Sequence, residues 1–329
     1  MRLKPIGFTV ATVVVSLALA GCATSTPAPE TSGAAGDNAA FPVTVETAFG
    51  DVTVESEPKR IVALGWGDAE TALALGVQPV GASDWLAFGG EGVGPWAEGL
   101  YDTAPEIIDT LEPSYEAIAA LKPDLILDTK SSGDQERYDR LSSIATTVGI
   151  PEGSESYLTS LDDQMEIISE ALGKEAKGDE LLDAVEAKYE EAAAAHPEWD
   201  DLTVAAATKT SEGWGAYIEG SERVSFLENL GFEQSPKIAA LETAASGFTV
   251  DISSEQLDLL DADLIVAFPI YIPTTDITED PLFQAIPAVA AGHSVVIDGD
   301  LSAAYSLGSS LAIGYSIDNL VPLIADATK

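Results

Sequence analysis

Two segments of the chain repeat one local pattern, and they stand in different halves of it. SYEAIAALKPDLIL begins at Ser114 and SSEQLDLLDADLIV begins at Ser253. Each has a serine first, a glutamate third and an aspartate directly before an apolar run. Serine is favoured at a helix N-cap and a carboxylate is favoured in the first helical turn, so each segment predicts a helix followed by a strand. A chain with one such unit in each half is expected to fold as two related lobes.

Short apolar strands alternate with helical segments on both sides of one long charged helix. RIVALGW, PVGASDW and DLILDTK are followed by helical stretches, and a second set of strands begins at LTVAAATK. This alternation is typical of parallel sheets covered by helices. We therefore predict an α/β fold of two lobes, each a mainly parallel sheet covered by helices, joined by one long α-helix. The predicted bounds are 41–172 for the N-terminal lobe, 173–197 for the linking helix and 198–329 for the C-terminal lobe. VTVETAFGDVTVES, at the start of the first lobe, predicts a β-hairpin.

The N-terminal segment predicts export and lipid anchoring. Arg2 and Lys4 precede the apolar run IGFTVATVVVSLALA, which has the length of a secretory signal and is shorter than a membrane-spanning helix. The following LAGC resembles the bacterial lipobox, in which the cysteine is lipidated and becomes the first residue of the mature protein. Cys22 is the one cysteine of the chain. We therefore predict a lipoprotein signal peptide over 1–21, a disordered tether over 22–40 and an extracytoplasmic protein anchored to the cell membrane through Cys22.

Charge and motif content exclude several classes of function. The chain has 55 acidic and 15 basic residues and a net charge of -40, which disfavours nucleic acid as a partner. Nucleophile elbow, P-loop and H-E-x-x-H motifs are missing from the sequence, and the glycine-rich GEGVG at 90–94 opens no predicted helix after a strand. The two histidines, His196 and His293, offer little for acid–base catalysis or a metal centre. We expect neither an enzyme nor a resident cofactor.

Aromatic and basic residues follow several of the predicted strands. Ligands of open α/β sheets bind outside the carboxyl ends of the strands, so these residues are candidates for a binding cleft between the lobes. Aromatic rings with a few cations suit a bulky, partly apolar chelate. The alternative interpretation is that several of the aromatic residues pack in the lobe cores. The candidate ligand-binding residues are Trp66, Trp85, Lys130, Arg137, Trp214, Tyr217, Arg223, Tyr271 and Tyr305.

The lipobox, the tether, RIVALGWGDAETALALGVQPVGAS, the EPSYEAIAALKPDLIL segment, the linking helix and DISSEQLDLLDADLIVAF together resemble the substrate-binding lipoproteins of ABC importers for iron-siderophores and vitamin B12. The resemblance implies a monomer that captures a ferric siderophore between its lobes and delivers it to permease subunits with an associated ATPase. It also implies that Glu116 and Glu255 form salt bridges with arginines of the permease. Helix-start chemistry alone is the alternative explanation for these glutamates.

The chemical class of the ligand stays open at the level of sequence. Haem or vitamin B12 are alternatives to a ferric siderophore, because tyrosine can ligate haem iron and aromatic rings can hold a cobalamin. The acidic chain favours a neutral or cationic ferric hydroxamate over an anionic tricatecholate. A local cluster of Lys130, Arg137 and Arg223 offers an anion a counter-charge, because the long-range field is screened by salt.

Overall fold

The computed structural model of the protein describes residues 41–241 and 247–329. The predicted signal peptide, the tether and Cys22 lie outside these residues. The described chain starts with a hairpin of two antiparallel strands, β1 (Val43–Val45) and β2 (Val52–Val54), in which Val43 pairs with Val54. This confirms the predicted hairpin. Val45 and Val54 are buried in the first lobe, so the hairpin is part of its core.

The first lobe is a five-stranded parallel sheet covered by helices on both faces. Its strand order is β5-β4-β3-β6-β7, and one buried apolar cluster lies on each face. The strands are β3 (Ile61–Ala63), β4 (Gly81–Ser83), β5 (Glu106–Ile108), β6 (Leu125–Leu127) and β7 (Thr146–Val148). The helices are α1 (Asp68–Ala74), α2 (Tyr115–Ala120), α3 (Gln135–Ser142) and α4 (Leu161–Leu172), with a 3-10 turn at Pro95–Ala97.

A helix of 21 residues, α5 (Glu175–Ala195), connects the lobes as predicted. At 1.5 Å per residue it is roughly 30 Å long. Its first half packs on the first lobe, where Gly178 lies so close to Ser169 of α4 that a Cβ atom would stand 2.8 Å from the serine Cβ. Its second half buries Val185 and Tyr189 in the core of the second lobe. The helix is therefore fixed to both lobes by packing.

The second lobe contains a six-stranded sheet with seven helices after the linking helix in the described part. The path of the sheet is β11-β9-β8-β12-β13, and β10 pairs with the start of β8. The strands are β8 (Thr203–Lys209), β9 (Trp214–Tyr217), β10 (Glu233–Gln234), β11 (Thr249–Ile252), β12 (Leu264–Pro269) and β13 (Ser294–Val296). The helices are α6 (Glu222–Glu228), α7 (Pro236–Ala239), α8 (Thr275–Thr278), α9 (Pro281–Gln284), α10 (Pro287–Ala291), α11 (Gly299–Leu307) and α12 (Ser310–Ala327). Two 3-10 helices span Pro197–Trp199 and Ser254–Leu260.

The second sheet is mixed, because β9 runs antiparallel to both β8 and β11. Only the residues numbered 210–213 separate β8 from β9, and Thr210 N donates to Gly213 O at 2.9 Å. A connection this short permits a hairpin, whereas a parallel crossover needs a dozen residues or more. The remaining pairings of this sheet, of β8 with β10 and β12 and of β12 with β13, are parallel.

The repeated segments occupy equivalent places in the two lobes. They lead into β6 and β12, which pair with the first strand of their own sheets, β3 and β8. The repeated aspartate has one structural role in both copies. Asp124 accepts hydrogen bonds from Lys59 N and Arg60 N, and Asp263 accepts one from Thr203 N at 2.8 Å. Each carboxylate therefore ties the start of its strand to the start of the neighbouring strand.

The helix of the second repeat differs from the prediction. Ser114 accepts a hydrogen bond from Ala117 N and caps α2, as expected. Ser253 stands at the corresponding position but donates to Gln256 Oε1 at 2.8 Å instead of capping a backbone N–H. The segment after it is a 3-10 helix with a non-helical residue at Gln256. The prediction of a second capped α-helix was therefore wrong.

None of the helices within 41–241 and 247–329 combines the length and the apolar character that crossing a membrane requires.

Candidate functional site

Four aromatic rings meet where the two lobes touch, and we call them the aromatic cluster. Trp66 stacks on Trp85 with ring centroids 4.0 Å apart and on Tyr157 at 4.2 Å, and all three come from the first lobe. Phe248 of the second lobe meets Trp66 edge-on at 5.9 Å. The Nε1–H groups of both tryptophans are buried, and neither has an acceptor among the described residues. The cluster therefore holds two indole donors without a protein acceptor in that part of the chain.

The backbone around Trp66 is held by a buried carboxylate. Asp68 accepts hydrogen bonds from Gly65 N, from Thr129 N and Oγ1 and from Gln164 Nε2. Gln164 Nε2 also donates to Trp66 O at 2.8 Å. Burial raises the pKa of Asp68 to about 6, although the hydrogen bonds from Thr129 and Gln164 work in the opposite direction. These contacts fix the loop that presents the Trp66 ring.

A cavity lies on each side of the aromatic cluster. The front cavity, of about 690 Å³, is lined by Trp66, Trp85, residues 107–111 and Tyr271. Tyr271 is 91% exposed and has a positive φ of 57°, a backbone conformation that is uncommon for a tyrosine. The rear cavity, of about 750 Å³, is lined by Tyr157, Phe248, Lys130, Arg223 and residues of α5. Both volumes lie within the range of about 300 to 1,000 Å³ that is usual for ligand sites.

Arg223 is a buried cation without a counter-ion in contact. Its side chain starts in the first turn of α6, and the residue is only 6% exposed. The guanidinium carbon lies 4.9 Å from the ring centroid of Tyr217 and 5.8 Å from that of Phe248. The guanidinium makes no hydrogen bond or ion pair with the described residues, and its Nε is buried. The charge of Glu222 acts on Arg223 without a direct ion pair, so the guanidinium keeps donors for a ligand that supplies oxygen atoms.

Lys130 differs from Arg223 because a carboxylate of the other lobe stands opposite it. Lys130 Nζ lies 3.8 Å from Glu222 Oε2, and both side chains are at most 10% exposed. Burial lowers the pKa of Lys130 and raises that of Glu222, and the charge of each partner opposes the effect of burial on the other. The charge of Lys130 is therefore balanced within the protein.

Arg137 lies behind the front cavity. Its guanidinium forms two hydrogen bonds with Asp128, at 2.9 and 2.8 Å, and a third with Thr110 O at 3.0 Å. Thr110 is one of the residues that line the front cavity. Arg137 therefore supports the cavity wall, while its charge is neutralised by Asp128.

Three further candidates lie in the cores of the second lobe. Trp214 and Tyr217 are three residues apart in β9, so the two-residue period of a strand turns them to opposite faces of the sheet. Trp214 stacks on Phe283 in one core at 5.1 Å, away from both cavities. Tyr217 packs in the other core beneath Arg223. Tyr305 is 1% exposed, and its hydroxyl donates to Arg223 O at 2.6 Å.

Tyr157 and Phe248 belong to the aromatic cluster but are not among the candidate residues predicted from the sequence. Tyr157 lies in the loop after β7, and the rule for the carboxyl ends of strands points to that loop as it does to those of Trp66 and Trp85. Phe248 precedes β11 in a mixed part of the sheet, where that rule does not apply. The sequence therefore contained a usable signal for Tyr157 and none for Phe248.

The repeated glutamates are both exposed and lie away from the cavities. Glu116 is in the first turn of α2, and Glu255 is at the start of the 3-10 helix Ser254–Leu260. Glu116 precedes β6 by as many residues as Glu255 precedes β12. Neither carboxylate forms an ion pair with a described residue. Each lobe thus presents one glutamate at an equivalent place.

Comparison with known proteins identifies relatives along most of the chain. The sequence profile of the periplasmic binding protein family matches residues 61–301. A probable siderophore-binding lipoprotein of Bacillus subtilis, YfiY, is 27% identical over 84% of this chain and 86% of its own. The Fe(3+) dicitrate-binding periplasmic protein FecB of Escherichia coli is 26% identical over 79% of this chain and 84% of its own. The crystal structure of Streptococcus pneumoniae PiaA in complex with ferrichrome superposes with a TM-score of 0.75 at 28% identity, covering 87% of this chain and 98% of PiaA. These matches confirm the resemblance predicted from the sequence.

Proposed function

The chain belongs to the periplasmic binding protein family, and from that premise we propose that it captures a ferric siderophore at the boundary between its lobes and delivers it to an ABC importer. Relatives with names that record siderophore or ferric citrate binding support this ligand class. Haem and vitamin B12 are the competing ligands. The proposal rests chiefly on one observation, the buried and unpaired guanidinium of Arg223 beside the aromatic cluster.

The ligand is proposed to insert between the two halves of the aromatic cluster. Trp66, Trp85 and Tyr157 then form the wall on the first lobe, and Phe248 and Arg223 form the wall on the second. The front and rear cavities flank this contact, so a bulky chelate that parts the rings joins the two volumes. Ring faces bury the apolar part of the chelate, and the guanidinium donates to the oxygen atoms that surround the iron.

The remaining predicted residues have graded roles in this proposal. Tyr271 closes the front cavity from the second lobe, and Lys130 borders the rear cavity with its charge already balanced. Arg137 and Tyr217 act indirectly, by supporting the wall at Thr110 and the guanidinium of Arg223. Trp214 and Tyr305 have no place in the ligand contact, because they pack within the cores.

Quenching of tryptophan fluorescence tests this function. Ferrichrome, ferrioxamine B, ferric citrate, haemin and cyanocobalamin are titrated into the purified protein, and quenching with saturation by at least one of the iron chelates is expected. Arg223→Gln should weaken that binding about 10- to 100-fold, because hydrogen bonds to a charged donor contribute about 1.5–3 kcal/mol. Arg140→Gln, which changes an arginine of the exposed face of α3, is the matched control. If cyanocobalamin or haemin quenches the fluorescence and none of the iron chelates does, that compound is the ligand and the ferric siderophore is not.

Glu116 and Glu255 are proposed to dock the protein on a permease with an associated ATPase. A carboxylate at the same position of each lobe fits a partner with two basic surfaces. Replacing both glutamates with alanine should abolish uptake of radioactive iron by cells and leave chelate affinity unchanged. Glu136→Ala with Glu279→Ala, one exposed glutamate in each lobe, is the control pair. Loss of chelate affinity in the first double variant would assign these glutamates to the fold or the site instead.

Cys22 is proposed to hold the protein at the outer face of the cell membrane through its lipid. Cys22→Ala should move the protein from the membrane fraction to the soluble extracytoplasmic fraction. Retention of the variant in the membrane fraction would contradict the anchor.

A further inference from the structure

The charges around the two cavities distinguish between classes of ferric chelate. Seven carboxylates and two cations line the cavities among the described residues. The carboxylates are Asp84 and Asp109 in front and Asp162, Glu186, Glu190, Glu222 and Glu228 behind. The cations are Lys130 and Arg223. The segment 242–246, which the structure does not describe, contains no lysine or arginine in its sequence.

Of the two cations, only one is available to a ligand. Lys130 is already opposed by Glu222 at 3.8 Å. Arg137, the basic residue behind the front cavity, donates its hydrogen bonds to Asp128 and Thr110. Arg223 is therefore the cation that remains for a ligand, and carboxylates surround it. Its guanidinium can bind oxygen atoms with a small partial charge, but the surrounding carboxylates repel an ion with several negative charges.

We infer that the site selects ferric chelates that are neutral or positively charged overall, as trihydroxamates are, and rejects tricatecholate and citrate complexes with their excess negative charge. This inference rests on the proposed function, because it specifies the chelate that the same site takes. The front wall agrees with it, since Ile107 and Leu111 expose apolar surface beside Tyr271 there and no cation. The relatives do not decide the question, because their names include both ferrichrome and ferric citrate complexes.

Binding is measured for four probes at low and at physiological ionic strength. The probes are ferrichrome, which is neutral, ferrioxamine B, which is positively charged, and ferric citrate and a ferric tricatecholate, which are negatively charged. The anionic probes should bind at least about ten-fold more weakly than ferrichrome at physiological salt, and more weakly still at low salt, where repulsion is less screened. The affinity for ferrichrome should stay the same in both buffers.

Asp109→Asn isolates the electrostatic effect. Asp109 Oδ1 accepts hydrogen bonds from Leu111 N and Glu112 N, and the asparagine carbonyl keeps both. The variant should raise the affinity for the anionic probes about three- to ten-fold more than it changes the affinity for ferrichrome at low salt. Asp51→Asn, in the turn of the N-terminal hairpin, is the matched control and should alter neither.

The outcomes separate this inference from the proposed function. An anionic chelate that binds as tightly as ferrichrome or more tightly overturns the charge selectivity and leaves siderophore capture intact. Binding of none of the four probes overturns both.

Discussion

Replacing Arg223 with methionine should weaken ligand binding without destabilising the unliganded protein. The arginine is 6% exposed, two rings contact its guanidinium, and the charge of Glu222 acts on it without a direct ion pair. A desolvated contact of this kind contributes about 2 kcal/mol, so the two rings offset much of the several kcal/mol that burying an ion costs. Methionine keeps the apolar stem without the charge and adapts to an irregular space. We therefore expect the free energy of unfolding to stay within about 1 kcal/mol of the wild type, because the lost penalty and the lost contacts nearly cancel.

The same change removes every donor that the guanidinium offers to a chelate, so the affinity should fall about 10- to 100-fold. Urea unfolding of the free protein measures the first effect, and chelate titration measures the second. Arg140→Met serves as the control for loss of a positive charge together with one ring contact, because the Arg140 guanidinium lies 3.7 Å from the centroid of the Tyr115 ring. A variant that is destabilised by more than about 1 kcal/mol and binds chelate normally would show that Arg223 belongs to the fold and not to the site.

Three further predictions concern the loop of Trp66 and the repeated aspartates. Burial raises the pKa of Asp68 from 3.8 to about 6, so the folded state binds this proton more tightly than the unfolded state. The wild type should therefore lose about 3 kcal/mol of stability relative to Asp68→Asn as the pH rises from about 3 to about 7, and a constant difference in urea unfolding contradicts this. Gly65→Ala should lower both stability and chelate affinity, because the added Cβ would stand 2.7 Å from Lys130 N and would also contact the Asp68 carboxylate, which displaces the loop of Trp66. Unchanged affinity in the chelate titration would show that the loop adapts. Asp124→Ala and Asp263→Ala should each destabilise the protein by about 1 to 3 kcal/mol without moving the chelate affinity, because each removes a carboxylate that accepts hydrogen bonds from a neighbouring strand. Equal stability of either variant with the wild type, measured by thermal unfolding, would leave the repeated aspartate unexplained.

The two-lobe α/β architecture could be predicted from the sequence because local residue patterns determine its strands and helices. Apolar strands separated by helices predict the parallel sheet of the first lobe, and the charged helical run before His196 predicts α5. The mixed sheet of the second lobe was not anticipated, although the short connection between LTVAAATK and Trp214 is a signal for a hairpin. The repeated aspartate also has a structural role that the pattern alone does not reveal.

The site was predicted less completely, because burial depends on which face of an element a residue occupies. Trp66, Trp85 and Tyr271 line one cavity, as expected of residues that follow strands. Trp214 also follows a strand, but the strand period turns it into the opposite core. Asp128 neutralises Arg137, whereas Arg223 has no carboxylate of the described residues in direct contact. Spacing along the chain does not reveal which arginine is paired.

A crystal structure of the protein with ferrichrome, in which the anomalous signal of iron locates the metal, tests whether the chelate binds between the lobes. We expect the iron between the rings of Trp66 and Tyr157 on one side and Arg223 on the other, with guanidinium nitrogens about 3 Å from chelate oxygens. An iron position outside this boundary, or an aromatic cluster that stays closed with Arg223 still unpaired, would contradict this expectation.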